Sequence, residues 1–569
     1  MQELKDEILE FILSKPWIKF YDEGVSPEIK IEPRPLYSIL DESAKKYPDH
    51  NALIFFGNTI KYKDLKESVE RFAGALSELG VKKGDVVSLI LPNSPQFVIA
   101  YYATLKIGAI VNPINPLYKP AELEYIINNS GAKIAIVLDL AYKNLEEIRA
   151  KTDLQKVIVT SIRDYLKGIK RLLYPLKKEF RVKVTYDENT LRFVDLLNKG
   201  GKYEPLSIDP INDPAAYMYT GGTTGIPKAA VLTHYNLLAN AYQAGELVEK
   251  REAKDVILAV LPFFHIYAQT VVMNLGILRA ATIVLMPRLD LKALFENVQK
   301  YKVNLLPGVP TLYNAIINSP YAKKYSLKSI EVCISGAAAL PVEVLKKFEA
   351  LTGGKLREGY GLTEASPVTH CNPIKGKYKE GSIGIPVPNT LAAIAHPEEN
   401  KLLKVGEIGE LIVAGPQVMK GYLRSEENKD VFFEYGGIRW LRTGDMAKMD
   451  EEGYFYIVDR KKEIIKYKGY SVYPREIEEI LYQHPAVKEA AVVGIPDPVV
   501  GEIVKAYIVL KGEYKGKVSE EEILNYLKDK LAPYKVPKKI SFEEDLPKSL
   551  VGKILKRALI EKELKSTQG

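Results

Sequence analysis

Cysteine is almost missing: the 569 residues hold two, Cys333 and Cys371, too few for a disulfide framework or a cysteine-built zinc site. Six scattered histidines show no HExxH spacing, so no structural metal is expected. A thiol-poor chain suits a reducing, cytoplasmic compartment. A basic segment leading into an apolar core is also missing at the start, where MQELKDEILEFILSKPW is acidic and amphipathic; no export signal is expected. Neither charge dominates. The 80 basic and 72 acidic residues leave a formal +8, too diffuse for a nucleic-acid footprint, and no nucleic-acid partner is expected. Fixed-period repeats and low-complexity linkers are lacking, which excludes a solenoid or a disordered tail.

One run has too little charge. Val256 to Leu278 spans 23 residues without Asp, Glu, Lys or Arg, long enough to cross a bilayer. Pro262, His265, Gln269, Asn274 and Gly276 interrupt it, and short buried elements of a large α/β core give the same count, so a core segment is expected.

What is present is length and rhythm. A chain of this size with 46% hydrophobic residues exceeds a single core and should divide into at least two domains. DVVSLILP (85–92), SPQFVIAYYATLKIG (94–108) and AIVNPINP (109–116) read as strand, capped helix and strand. IAIVLD (134–139), KVIVTS (156–161), KVNLLPGVP (302–310) and EVCISGAAAL (331–340) look like further buried strands. The expected fold class is α/β: a large N-terminal domain, 1–458, of mainly parallel sheets covered by helices. Beyond it, VDRKKEIIKYKGYSVYPREIEEIL reads as two short strands around a basic turn and a helix opening on Pro474. Residues 459–462 are expected as a hinge and 463–569 as a small, mobile α+β domain.

The chemistry concentrates in YTGGTTGIPKAAVLTH (219–234), with three glycines, four threonines and a lysine. Lys228 falls three residues after Gly225 and is followed by Ala229, so this is not GxxxxGK[ST]. Converging amides, uncharged hydroxyls and one ammonium nonetheless suit a polyphosphate; a Gly-rich strand-to-helix turn with a solvated lysine is the plain alternative.

Seven further motifs follow in order: LPFFHIYA, ISGAAAL, EGYGLTEASP, GSIGIPVP, WLRTGDMA, DRKKEIIKYKGYSVYPREIE and LPKSLVGKILKR. Together with the loop they resemble the adenylate-forming superfamily of acyl-CoA synthetases, luciferases and peptide-synthetase adenylation domains, over nearly the whole chain. Ala229, where that family usually has glycine, is the departure noticed. The resemblance implies attack of a carboxylate on the α-phosphate of ATP, then transfer of the acyl group to the thiol of coenzyme A.

It also implies roles. Thr220, Gly221, Gly222, Thr223, Thr224, Gly225 and Lys228 would cradle the β- and γ-phosphates, and Glu364 would help hold Mg²⁺. Gly336, Ala337, Glu358, Tyr360, Gly361 and Thr363 would line the nucleotide, Tyr360 stacking on adenine. Asp445 resembles the ribose acid and Arg460 a second ribose or phosphate contact. Lys553 would reach the reacting carboxylate and α-phosphate. His265 would lie near the acyl carbonyl, with Phe263 and Phe264 in the acyl pocket. Lys462 would be the hinge residue, and Lys468, Gly469 and Tyr470 would line the thiol's path after domain rotation.

The apolar pocket residues suit an aliphatic or aryl acid, and no aspartate stands near Phe263 to hold an amino group. The segment SIRDYLKGIKRLLYPLKKEFRVK (161–183), with eight basic and two acidic residues, resembles the basic insertion of long-chain fatty acyl-CoA synthetases. It suits peripheral contact with an anionic membrane surface, a surface loop being the alternative. The expected function is a medium- or long-chain fatty acyl-CoA synthetase, with an aryl or 4-coumarate-type CoA ligase and a luciferase-like oxygenase as alternatives. Monomer and homodimer both stay open.

Overall fold

The computed structural model describes residues 6–174, 182–220, 227–468, 470–549 and 552–567. The chain forms two compact units: residues 17–391 with 414–432, and residues 392–413 with 433–569 and the first 16.

An eight-stranded sheet organises the larger unit, in the order Gly421–Tyr422, Lys228–Thr233, Pro214–Thr220, Ile110–Pro113, Val86–Ile90, Ile134–Leu138, Lys156–Thr160 and Thr190–Arg192. From Pro214–Thr220 to Thr190–Arg192 every neighbouring pair is parallel. Such strands are covered on both faces and need unbroken apolar runs; Val86–Ile90 and Ile134–Leu138 are buried at every position. The intervening helix, Pro95–Lys106, starts where Ser94 Oγ accepts the Phe97 amide at 3.3 Å, with Pro95 at its first position. All of its residues are buried, as a helix apolar nearly all round must be. The α/β expectation is met, and the 85–116 βαβ unit forms as expected.

The uncharged run breaks into pieces: strand Val256–Ala259, helix Ile266–Ala268, π-helix Gln269–Asn274 and helix Leu275–Leu278. Its polar interruptions are partnered in the core. Gln269 and Asn274 accept from the hydroxyls of Tyr101 and Tyr102 at 3.1 and 2.9 Å. Among the described residues no helix is long and apolar enough to cross a membrane.

Two local expectations change. KVNLLPGVP makes only isolated bridges at Leu305 and Gly308, because Pro307 has no amide for a ladder and Pro310 starts the helix Pro310–Ile317. The glycine-rich loop joins two strands, where a strand-to-helix turn was the plain alternative: Pro214–Thr220 pairs antiparallel with Lys228–Thr233, and Thr220 faces Lys228 across the ladder. The small and β-branched residues of KAAVLT extend the hairpin, so the helix begins only at His234, capped by Thr233.

The smaller unit holds two five-stranded sheets. In the first, Ile438–Met449 pairs with Gly409–Ala414 and with Phe455–Arg460. In the second, Gly501–Leu510 pairs antiparallel with Val487–Asp497 and parallel with Lys539–Phe542. The basic hairpin Ile465–Tyr467/Tyr470–Val472 and the helix Pro474–Tyr482, with proline in its first turn, form as expected. The same unit also holds the helices Glu520–Lys528 and Lys556–Thr567.

Candidate active site

In the larger unit the hairpin carries Thr220 and Lys228 as the residues that close its tip, with the Thr220 hydroxyl 3.5 Å from the Lys228 carbonyl. Gly221, Gly222, Thr223, Thr224 and Gly225 lie outside the described residues. The Tyr125 hydroxyl donates to the Pro227 carbonyl at 3.1 Å and anchors the far end of the loop. The Lys228 ammonium lies over the ring of Tyr422, 5.0 Å from its centroid.

Tyr422 also donates its hydroxyl to Glu364 Oε1 at 2.6 Å, so one ring joins the expected phosphate lysine to the expected metal carboxylate. Glu364 sits in the short turn Thr363–Ala365, which begins at the expected nucleotide residue Thr363. Its carbonyl accepts the Met419 amide at 2.8 Å. Among the described residues no other hydrogen bond to this carboxylate is found. Mg²⁺ prefers one or two carboxylates and completes its shell with water and phosphate oxygens. A single glutamate held through Oε1 by the tyrosine that also meets Lys228 fits that donor set.

The strand Lys355–Gly361 delivers the other nucleotide candidates. Glu358 is buried and accepts the Leu340 amide at 3.2 Å, fixing the loop after Ala337. Tyr360 is half-buried, its ring edge-on to buried His370 at 5.9 Å. Burial pushes the His370 imidazole down to about 3, so it stays neutral beside that ring. Gly361 has a steric reason to be glycine, since a Cβ would lie 2.2 Å from the Pro367 carbonyl oxygen. Gly336 presses on the ring of Tyr267, where a Cβ would approach to 3.1 Å, and Ala337 adopts the left-handed conformation at φ 67°. The structure therefore brings 336–337, 358–361 and 363–364 onto successive segments of one unit.

His265 caps the helix that follows, its Nδ1 accepting the Tyr267 amide at 3.2 Å. That bond leaves the ring proton to Nε2. Phe263 is fully buried, tilted against Phe97 at 5.6 Å, while Phe264 is half-buried.

In the smaller unit Asp445 and Arg460 face each other on adjacent strands and pair at 3.3 Å, with Asp445 buried and Arg460 half exposed. Lys553 is half-buried and makes no side-chain hydrogen bond or ion pair among the described residues. Burial and the Arg460 guanidinium lower the pKa of its ammonium, against the attraction of Glu463 and Asp445. Three residues on, Lys556 pairs with Glu463 at 3.0 Å and Glu478 at 2.9 Å. Asp459 is pushed up to about 6 by burial, despite Lys556 and the amides of Arg475 and Arg460.

Lys462 is exposed in the turn after Arg460. Lys468 takes φ 49° at the tip of the basic hairpin, and Gly469 lies outside the described residues. Tyr470 is exposed and stacks on Tyr534 at 4.7 Å.

Sequence reasoning missed Tyr422. It lies in a strand of two residues, within GPQVMKGYLRS, and no spacing or composition sets it apart from the other 35 tyrosines of the 36. Glu463 and Lys556 were missed because charged residues near a hinge look like solvated surface.

The AMP-binding enzyme family matches residues 40–423, and the C-terminal domain of AMP-binding enzymes matches residues 476–553. A long-chain-fatty-acid–CoA ligase of Bacillus subtilis (strain 168) is 45% identical over 556 residues, 96% of this chain and 98% of the relative. A ligase described in the same words from Escherichia coli O157:H7 is 37% identical over 558 residues, again 96% and 98%. ATP-bound MatB from Rhodopseudomonas palustris superposes with a TM-score of 0.81 at 29% identity, covering 93% of this chain and 98% of that one. The chain belongs to the AMP-binding enzyme family.

Proposed function

We propose that the chain is an ATP-dependent, AMP-forming acid–thiol ligase that joins a long-chain fatty acid to coenzyme A through an acyl adenylate. Lys553 carries the geometric side of this reading: a half-buried ammonium beside Asp445 and Arg460 with no ion pair of its own among the described residues. Such a cation gains most when an anion arrives. The fatty-acid relatives support the choice of substrate.

In the first step a carboxylate oxygen of the acid attacks the α-phosphorus, and the bond to the bridging oxygen breaks with its electron pair leaving on pyrophosphate. Lys553 neutralises charge at the carboxylate and α-phosphate, and Asp445 accepts the ribose hydroxyls. Thr220 and Lys228 hold the outer phosphates, with Tyr360 against the adenine and Gly336 and Ala337 allowing close backbone approach. Mg²⁺, held by Glu364, supplies charge neutralisation to the polyphosphate when bound. In the second step the thiol of coenzyme A gives up its proton to solvent, its sulfur attacks the acyl carbon, and the carbon–oxygen bond of the mixed anhydride breaks with its electron pair leaving on AMP. His265 lies near the acyl carbonyl for this step. Residues 459–462, with Lys462 as pivot, serve as the hinge between the steps, and the hairpin at Lys468–Tyr470 lines the thiol's path.

The same reading includes peripheral membrane contact. The described part of 161–183 ends in the short helix Gly168–Leu173, with Ile169 and Leu172 each 70% exposed beside exposed Lys167, Lys170 and Arg171. Residues 175–181 lie outside the described residues. Salt-sensitive co-sedimentation with anionic vesicles, absent with neutral ones, would support this contact; equal binding to both would refute it.

Pyrophosphate release with ATP and Mg²⁺ across acetate, octanoate, palmitate, benzoate and 4-coumarate, with and without coenzyme A, tests the main reading. Coenzyme A-stimulated turnover is expected to peak on palmitate. A peak on 4-coumarate or benzoate would move the enzyme to the aryl ligases, and indifference to coenzyme A would exclude a thiol ligase.

A further inference from the structure

We propose that Tyr422 is a positioning residue that sets Glu364 and Lys228 for one Mg²⁺–triphosphate; this rests on the nucleotide reading above. Tyr422 is fixed on the same ladder as the phosphate hairpin. It pairs with Ala230, two residues from Lys228. Asn428 clamps its backbone from the other side, Oδ1 accepting the Tyr422 amide at 2.7 Å and Nδ2 donating to the Tyr422 carbonyl at 3.0 Å.

From this fixed backbone the side chain serves both charges. The ring face receives the Lys228 ammonium and the hydroxyl donates to Glu364 Oε1. The same stretch also holds Glu364 through its main chain, by the Met419 amide.

The use of a neutral ring has a chemical reason. A direct Lys228–Glu364 pair would consume the positive charge meant for phosphate and the negative charge meant for the metal ion. Tyr422 orients both without cancelling either, and its bond engages only Oε1 of Glu364. Partners of this kind typically contribute about 10–100-fold to metal affinity.

The test uses the full chain and calorimetry of a non-hydrolysable ATP analogue, with Mg²⁺ titrated or with EDTA present. Tyr422→Phe is expected to need about 10-fold more Mg²⁺ for the same gain in analogue affinity, with affinity in EDTA and the thermal midpoint near wild type. Tyr422→Leu, which also removes the ring, should weaken binding in EDTA by a further few-fold. Glu364→Gln is measured alongside. Loss of the Mg²⁺ gain in Glu364→Gln with a wild-type profile in Tyr422→Phe would overturn the positioning role. A wild-type profile in Glu364→Gln would instead sink the assignment of Glu364 to the metal.

Discussion

In the larger unit Lys228 lies over the ring face of Tyr422 and Glu364 accepts its hydroxyl, whereas in the smaller unit Lys556 pairs directly with Glu463 and Glu478. Lys553, three residues before Lys556, pairs with nothing among the described residues. On the proposed reading, the first arrangement keeps both charges available for the triphosphate and its metal ion before pyrophosphate departs. In the second, Lys556 is held by two carboxylates, and on the proposed reading Lys553 is left for charge that develops only during the reaction. Preorganised donors aimed at developing charge are usually the largest single contribution to catalysis, so the two clusters should differ most in what their loss does to rate.

Removing Lys553 is the strongest way to break the contrast. Lys553→Ala should slow adenylate formation about 10²–10³-fold while ATP binding changes little, as measured by single-turnover pyrophosphate release. An equal loss in affinity and in rate would place Lys553 with the ground-state contacts of the other unit.

Rigidity of the larger cluster can be probed through Gly361. Its alanine variant would put a Cβ 2.2 Å from the Pro367 carbonyl, displacing the turn that carries Glu364. A loss of about 3 kcal/mol by denaturant unfolding is expected. Gly512, with nothing within 4 Å of its would-be Cβ, is the control. There alanine should change stability by less than about 0.5 kcal/mol.

A further expected effect concerns pH. A carboxyl raised from 3.8 to about 6, as at Asp459, holds its proton more tightly in the folded state. Its stabilising contribution is present below the unfolded value and is lost as pH rises through about 6, at most about 3 kcal/mol in all. Asp459→Asn should remove that part of the pH dependence, so its midpoint relative to wild type should climb between pH 4 and pH 7. A difference independent of pH would show that Asp459 does not titrate in this window.

How much of this could be read from residues alone depended on range. Ser94, Pro95 and Gly108 mark one helix by local rules, and its apolar sequence announces burial; both ends form where those residues stand. The hairpin was harder. KAAVLT has no strict alternation, and its strand character comes from pairing with Pro214–Thr220, so the residues alone offered a strand-to-helix turn as the plain alternative and no hairpin. Prolines 307 and 310 spoil a ladder that the hydrophobicity of KVNLLPGVP suggests. Within the candidate site, Lys228, Glu364 and Lys553 could be picked out because motifs surround them. Tyr422 could not, because its role arises from contacts 58 residues apart in sequence, to Glu364.

The most direct test supplies the intermediate. Wild type and Lys553→Ala would each be given synthetic palmitoyl adenylate and coenzyme A, and thioester formation followed by quenched flow. The account predicts nearly equal rates, since Lys553 acts on the carboxylate and α-phosphate of the first step only. A loss in Lys553→Ala as large as its loss in adenylate formation would contradict the division of labour between the two half-reactions.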